Sequence, residues 1–290
     1  MNYILNGHNS FYIREGWLGK GYSFIKKNPE INSTTFSKSN ITTIDELGLG
    51  GMMVSSLKFW LQSFGIIRKI DKNKWELSDI ADQIFMKDKY LQNNNSLWLL
   101  HYNLLRNPDE KQLYWYLIFE KNKNLNVFSR EELLEIAKNY LKEQEKNASE
   151  KTLKDGINIL IKTYFNEVSK INDPEDNLFS PFSRLNYLVK NGDAYRFRNI
   201  DSNEIEDQLI LYILLDQLKE QTSISVEEAY ELVKIFIRMN YIEFEKIISK
   251  LENQSYIKVD RASGLDNIIF EKELIKSDIL SEILESESVL

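Results

Sequence analysis

The sequence predicts a mainly α-helical protein of tandem winged-helix-like units, with small β-hairpin wings and connecting helices, and three observations carry that expectation. Prolines number four and glycines eleven in 290 residues, which favours helices over short strands joined by tight turns. Three segments repeat one apolar spacing, a residue followed by others at +3, +4 and +7: Leu57, Trp60, Leu61, Phe64; Ile157, Leu160, Ile161, Tyr164; and Phe244, Ile247, Ile248, Leu251. That spacing lays one stripe of a helix on a core. After the first and third come paired β-prone runs around a turn, the order of a helix and its wing.

In chain order, a first helix is expected across GHNSFYIREGWLGKGYSFIKKNP, which would put Arg14, Trp17 and Gly21 on one face. Gly48, Gly50 and Gly51 then form a tight turn ahead of a helix from about Met52 to Phe64; the lysine and hydroxyl of a Walker phosphate loop are missing. GIIRKIDKNKWEL reads as a hairpin, and Ser78 as the cap of the helix after it. SLWLLHYNLLRN and PDEKQLYWYLIFEK read as bridging helices, with Asn107 capping and Pro108 opening the second. Ser129 and Glu132 are placed as a capping box, and Ser149 as the cap of EKTLKDGINILIKTYF, after which no wing is legible. INDPEDNLFSPF, with Pro174 and Pro181, reads as a boundary, and YIKVDRASGLDNIIF as the last hairpin. A final helix lies in a stretch with six acids and two bases from Glu271 onward. The expected organisation is a basic amino-terminal winged-helix-like unit over 1–90, a helical middle unit over 91–172, and a carboxy-terminal winged-helix-like unit with an acidic terminal helix over 173–290.

Composition narrows the function classes. The chain has no cysteine, which excludes disulfides, thiolate catalysis, zinc–thiolate sites and persulfide relay. Its two histidines, His8 and His101, cannot build a three-histidine metal site. No secretion signal is visible at the amino terminus and no apolar run approaches about 18 residues, which predicts a cytoplasmic address. Net charge is −7, unlike a protein that coats nucleic acid nonspecifically. The charge is uneven, however: residues 1–74 hold ten Lys/Arg against five Asp/Glu, or +5, so the rest of the chain carries −12. An anionic partner is therefore expected to meet the first quarter, through Arg14, Lys20, Lys58, Arg68 and Lys69.

The amino-terminal string gathers His8, Asn9, Arg14, Trp17 and Lys20 among three glycines. Each glycine costs a helix about 1 kcal/mol against alanine, so close backbone approach should be required there. A guanidinium beside an indole suits a phosphate or a stacked base, with Lys20 as a nearby point charge. The plainer reading makes Trp17 a core aromatic, pairs Arg14 with Glu15 or Asp45, and uses His8 to cap a helix. Glu15, Asp45 and Glu46 are hard-cation donors that a divalent ion such as Mg²⁺ would accept, without diagnostic spacing. On the second helix, if the apolar quartet faces inward, Ser55, Lys58, Phe59 and Gln62 face outward, a set without an acid that suits phosphates and base edges. The equivalent places on the other two helices, Asp155, Asn158, Ile159, Lys162 and Ile242, Glu245, Lys246, Ser249, bring carboxylates.

GHNSFYIREGWLGKG, followed by ELGLGGMMVSSLKFWLQSFGII, resembles a bacterial domain-of-unknown-function family found in DNA phosphorothioation operons. Its members sit beside a sulfurtransferase of the phosphoadenosine-phosphosulfate reductase type and an ATPase, and the SspB-type nickase of the Ssp system is similar. The family string corresponds to Gly7, His8, Phe11, Arg14, Trp17 and Lys20, and a later element to Gly48, Gly50, Met53, Val54 and Ser56. Where the family pattern has a basic residue and an asparagine before the Met-Val pair, this chain has Gly51 and Met52. The resemblance implies a DNA-interacting component of a phosphorothioation, anti-phage restriction-modification system that nicks DNA to allow sulfur insertion. His8, Arg14 and Lys20 are then the candidate catalytic side chains, and Arg14, Trp17, Lys20, Ser55, Lys58 and Gln62 the candidate DNA contacts. A non-catalytic winged-helix adaptor that recruits the sulfurtransferase and ATPase, or a transcriptional regulator, are the alternatives, since no nuclease signature is legible.

Overall fold

The computed structural model describes residues 3–107, 112–166, 179–219, 221–261, 266–271 and 274–286. Three times along the chain the same order of elements recurs: helix, short strand, two helices, then a two-stranded hairpin. The first copy is α1 (Trp17–Lys27), β1 (Ile31–Asn32), α2 (Ile41–Leu47), α3 (Gly51–Ser63), β2 (Ile67–Asp71) and β3 (Lys74–Leu77). After α4 (Asp79–Lys87) and α5 (Asn94–Arg106), the second copy opens with α6 (Leu113–Trp115), which continues as a π-helical segment, Tyr116–Lys121. It proceeds through β4 (Val127–Phe128), α7 (Arg130–Glu143), α8 (Glu150–Tyr164), a 3₁₀ turn at Pro181–Leu185, β5 (Leu188–Asn191) and β6 (Ala194–Phe197). The third consists of α9 (Asp207–Leu218), β7 (Ser223–Ser225), α10 (Val226–Phe236), α11 (Tyr241–Asn253), β8 (Ile257–Asp260) and β9 (Asn267–Phe270), and α12 (Lys276–Glu285) follows it.

Each copy closes a three-stranded antiparallel sheet with the hairpin's second strand in the middle: β1-β3-β2, β4-β6-β5 and β7-β9-β8. The protein is thus mainly α, with three small sheets among the described residues. The three apolar quartets fall on α3, whose C-cap is Phe64, α8 and α11, and all twelve side chains are at most 3% exposed. Ser129–Glu132 forms the predicted capping box, and Ser149 and Ser78 cap α8 and α4 as their spacing predicts. A second capping box, Ser225–Glu228, opens α10. After the middle quartet, where the sequence shows no legible hairpin, the structure has one at Leu188–Phe197, beyond the boundary expected at 172.

Two compact units result. One comprises Met1–Gln92 and Asn103–Phe197 and holds the first two copies; the other comprises Asn93–Tyr102 and Arg198–Leu290 and holds the third. In the first unit an aromatic core ties the quartets together. Trp60 lies 6.2 Å from Trp115, whose indole N–H donates to the Tyr164 hydroxyl at 2.9 Å, and Phe64 stacks on Phe182 at 4.8 Å. The Asn107 amide donates to the Gln62 and Ser63 carbonyls and so satisfies the last turn of α3. The helix start expected at Pro108, the boundary at Pro174, the turn at 262–265 and the end of the last helix at 287–290 lie outside the described residues. Among the described residues no helix is long and apolar enough to cross a membrane.

Candidate functional site: the amino-terminal string on α3

Residues 4–16 do not form the predicted helix. Asn9 (φ 46°) and Ser10 (φ 63°) take left-handed conformations, Gly16 (φ 75°) does the same, and α1 begins only at Trp17. Turn bonds such as Phe11 N–H to the His8 carbonyl remain inside the string, and side chains of α3 bond it from outside. The His8 carbonyl accepts from Ser56 Oγ at 2.9 Å, the Phe11 carbonyl accepts from Trp60 Nε1 at 3.0 Å, and Asn9 Nδ2 donates to Ser55 Oγ at 3.4 Å. Ile13 is fully buried beneath the string. The glycines of α1 serve packing: a Cβ on Gly19 would come within 2.7 Å of the Lys89 carbonyl, and one on Gly21 within 2.9 Å of Leu61.

Arg14 therefore precedes the helix that was expected to carry it. Its guanidinium still sits among aromatic rings, 5.6 Å from the Phe11 centroid and 5.7 Å from those of Tyr12 and Trp17. Glu15, the expected partner, pairs with Arg184 at 3.2 Å. Among the described residues Arg14 makes no ion pair, and its buried Nε has no hydrogen-bond partner. A half-buried cation held by rings and lacking a counter-charge is a ready acceptor for an anion. Trp17 itself is a core aromatic, 4% exposed.

The remaining candidates lie in three places. Lys20 is exposed, donates to the Leu47 carbonyl at 3.5 Å, and lines a cleft of about 550 Å³ with Gly16, Lys27, Asp45, Glu46 and Lys89. His8 is only 3% exposed, edge-on to Phe59 at 5.8 Å, and its Nδ1 accepts from the Ser10 N–H at 3.2 Å. On α3, Ser55, Lys58 and Gln62 are half-buried, and Lys58 Nζ stands 4.0 Å over the Trp75 ring of β3. Phe59, expected to face outward, is 6% exposed and packs on Trp60 at 5.0 Å. The structure thus brings Arg14 to Trp17 and Ser55 to the string, while Lys20 and His8 occupy separate surroundings.

No motif singles out Arg130, and the α8 places Asp155, Asn158 and Lys162 are set aside in the sequence for the carboxylate they bring, yet the structure ties α8 to the string. Lys162 Nζ lies 5.2 Å from the Tyr12 ring, Ser10 Oγ donates to Asp155 Oδ2 at 3.2 Å, and Arg130 Nε donates to Asn158 Oδ1 at 3.2 Å. Their signal was present in the repeat itself. Asp155, Asn158 and Lys162 stand to the α8 quartet as Ser55, Lys58 and Gln62 stand to that of α3.

Residues 5–286 match the model of a family described as a protein of unknown function, DUF4007. The chain belongs to the DUF4007 family. Two solved structures share the fold over nearly its full length. A magnesium ion-bound SspB crystal structure aligns with a TM-score of 0.78 and 21% identity, covering 97% of this chain and 86% of that one. A second SspB crystal structure aligns with a TM-score of 0.77, 20% identity and the same coverage. No curated protein matches the sequence. Both the family and the likeness to SspB agree with the two motifs at 7–20 and 48–56. Among the described residues of this DUF4007 chain, no group of three or more His, Asp or Glu is placed to share a metal ion. Glu15, Asp45 and Glu46 do not assemble, because Arg184 takes Glu15 and the Asn28 amide donates to Glu46.

Both histidines are held neutral. Burial pushes His8 down to about 4, against a weaker upward pull from Asp155, and burial pushes His101 down to about 4 as well. His101 Nε2 is 2.9 Å from the Phe236 carbonyl, to which the neutral ring donates. Each ring takes up a proton near pH 6.5 in the unfolded chain but only near 4 when folded, so the unfolded state binds more protons between these values. Stability from this source is complete above pH 6.5 and is lost as pH falls to about 4. Thermal melting should show Tm falling through that window, and falling less in His8→Gln, whose side chain stays neutral; identical profiles would mean that the His8 ring is open to water.

Proposed function

We propose that this protein is a DNA-interacting component of a bacterial DNA phosphorothioation and anti-phage defence system, acting with the sulfurtransferase and ATPase of that system. On this reading each helix–strand–helix–helix–hairpin copy is a winged-helix unit, and the first meets DNA with Arg14 of the string and Ser55, Lys58 and Gln62 of α3. The observation that carries it is the Arg14 guanidinium, fixed by three rings and lacking a counter-charge, on the element whose residues also carry the SspB-like motif. A phosphate would supply the missing anion as a bidentate partner. Lys58, propped on Trp75, adds a second cation on the same helix that bonds the string.

Nicking is the activity proposed first, with Arg14 supporting charge at a phosphate; Lys20 and His8, the other members of the candidate catalytic set, lie in separate surroundings and do not join Arg14 around one phosphate. One of the two similar SspB structures is magnesium ion-bound, so the decisive assay is cleavage of supercoiled plasmid with and without Mg²⁺ or Mn²⁺. Conversion to open circles by the wild type, and none by Arg14→Ala, is the expected result. One observation favours the adaptor reading: His8 is 3% exposed, with its Nδ1 already hydrogen-bonded. Duplex binding without cleavage under every metal condition would select the adaptor, and absence of both binding and cleavage would overturn the DNA reading.

A further inference from the structure

The outward face of α8 carries charged groups that the site above does not use. Asp155, Asn158 and Lys162 succeed one another at +3 and +7 and so share one helical face. In the repeat they hold the positions that Ser55, Lys58 and Gln62 hold on α3. The string links the two faces at corresponding points, because adjacent residues reach across to them: Asn9 to Ser55, and Ser10 to Asp155. Farther along α8, Lys162 lies against one ring, Tyr12, that Arg14 also approaches, and Asn158 holds Arg130. Arg130 in turn rests 4.9 Å from the Tyr195 ring of β6. Among the described residues Arg14, Arg130 and Lys162 make no ion pair, and Asp155 is bonded by Ser10.

The geometry points to a second DNA-backbone contact, made by Arg130, Asn158 and Lys162, continuous with the Arg14 surface, so that the first two repeats engage one duplex together. This inference rests on the DNA-binding reading and extends it to a helix that the sequence had set aside. A duplex fits because corresponding faces of a structural repeat suit a ligand whose charges also repeat, as a phosphate ladder does. A protein partner fits less well: a protein interface is centred on apolar anchors, and no large apolar side chain of α8 is exposed, Ile159 being 3% exposed. The corresponding face of α11 lacks the pattern, since Glu245 stands where α3 has Lys58 and Ser249 where α8 has Lys162.

The test is fluorescence anisotropy of a short labelled DNA duplex over a series of salt concentrations, with the full chain and two variants, Arg130→Gln/Lys162→Gln and Lys162→Gln. Each lost phosphate contact should flatten the log–log salt slope by about 0.9, so the double variant should lose roughly 2 and the single variant roughly 1. Asp155→Asn, which removes the acid from this face, should tighten binding. Both glutamine variants change exposed or half-exposed side chains, and the single one stays informative if the double one melts early. Unchanged affinity and slope in variants that melt like the wild type would overturn the α8 contact while leaving the Arg14 surface in place. Absence of duplex binding by the wild type would overturn both, and tighter wild-type binding to polyglutamate than to DNA would reassign the face to an acidic protein.

Discussion

Arg14→Ala is expected to weaken duplex binding by about ten- to a hundredfold, as loss of a charge-assisted bond of about 1.5 to 3 kcal/mol requires. Stability should fall little. Breaking a buried ion pair costs about 3 to 5 kcal/mol because a partner charge is left stranded, but here there is no partner among the described residues to strand. The loss is limited to contacts with the Phe11, Tyr12 and Trp17 rings, at about 0.5 to 1 kcal/mol each. Arg14→Lys should recover part of the salt dependence without restoring affinity, because an ammonium cannot bind a phosphate through two parallel donors. Anisotropy titration beside thermal melting separates these outcomes. Wild-type affinity in a folded Arg14→Ala protein would remove the string from the DNA surface, and a drop in Tm as large as a broken buried pair would make Arg14 a structural residue.

The parts of this fold that were legible are those in which one residue's chemistry acts on its own neighbours. The three quartets became the buried stripes of α3, α8 and α11, and Ser129, Glu132, Ser149 and Ser78 became caps, because periodicity and capping are local. The string was misread for the same reason. Its residues have helical spacing, yet left-handed Asn9 and Ser10 and the partners Ser56 and Trp60, more than forty positions away, decide its path. The middle hairpin is hidden in the sequence because Leu188–Phe197 follows its helix only after an intervening segment, rather than at once as Ile67–Leu77 does. Phe59 shows the limit of assigning faces from one stripe: a second layer, His8 and the string, covers the side of α3 that the quartet leaves open. At the site, Arg14 and Lys58 are legible in the sequence, whereas Arg130 is not and Lys162 is set aside beside Asp155, because their value depends on the string reaching α8.

Trp60 joins the core to the site, and its removal should have the largest effect on stability. The side chain is fully buried, packs on Phe64 at 5.7 Å and Trp115 at 6.2 Å, and spends its one donor on the Phe11 carbonyl. Trp60→Ala should cost about 3 to 5 kcal/mol through the cavity alone, a large share of the about 5 to 15 kcal/mol that typically separates folded from unfolded domains. Trp60→Phe is the sharper experiment. It keeps an aromatic ring in the stack but removes the N–H, leaving the part-buried Phe11 carbonyl without that donor at a cost of about 1 to 3 kcal/mol. If the indole holds the string in place, Trp60→Phe should stay folded, exchange the string's amide hydrogens faster, and bind duplex more weakly although no residue proposed to touch DNA has changed. Affinity and exchange equal to wild type, with Tm alone reduced, would mean that Ser56 and Ser55 suffice to hold the string and that Trp60 is a packing residue only.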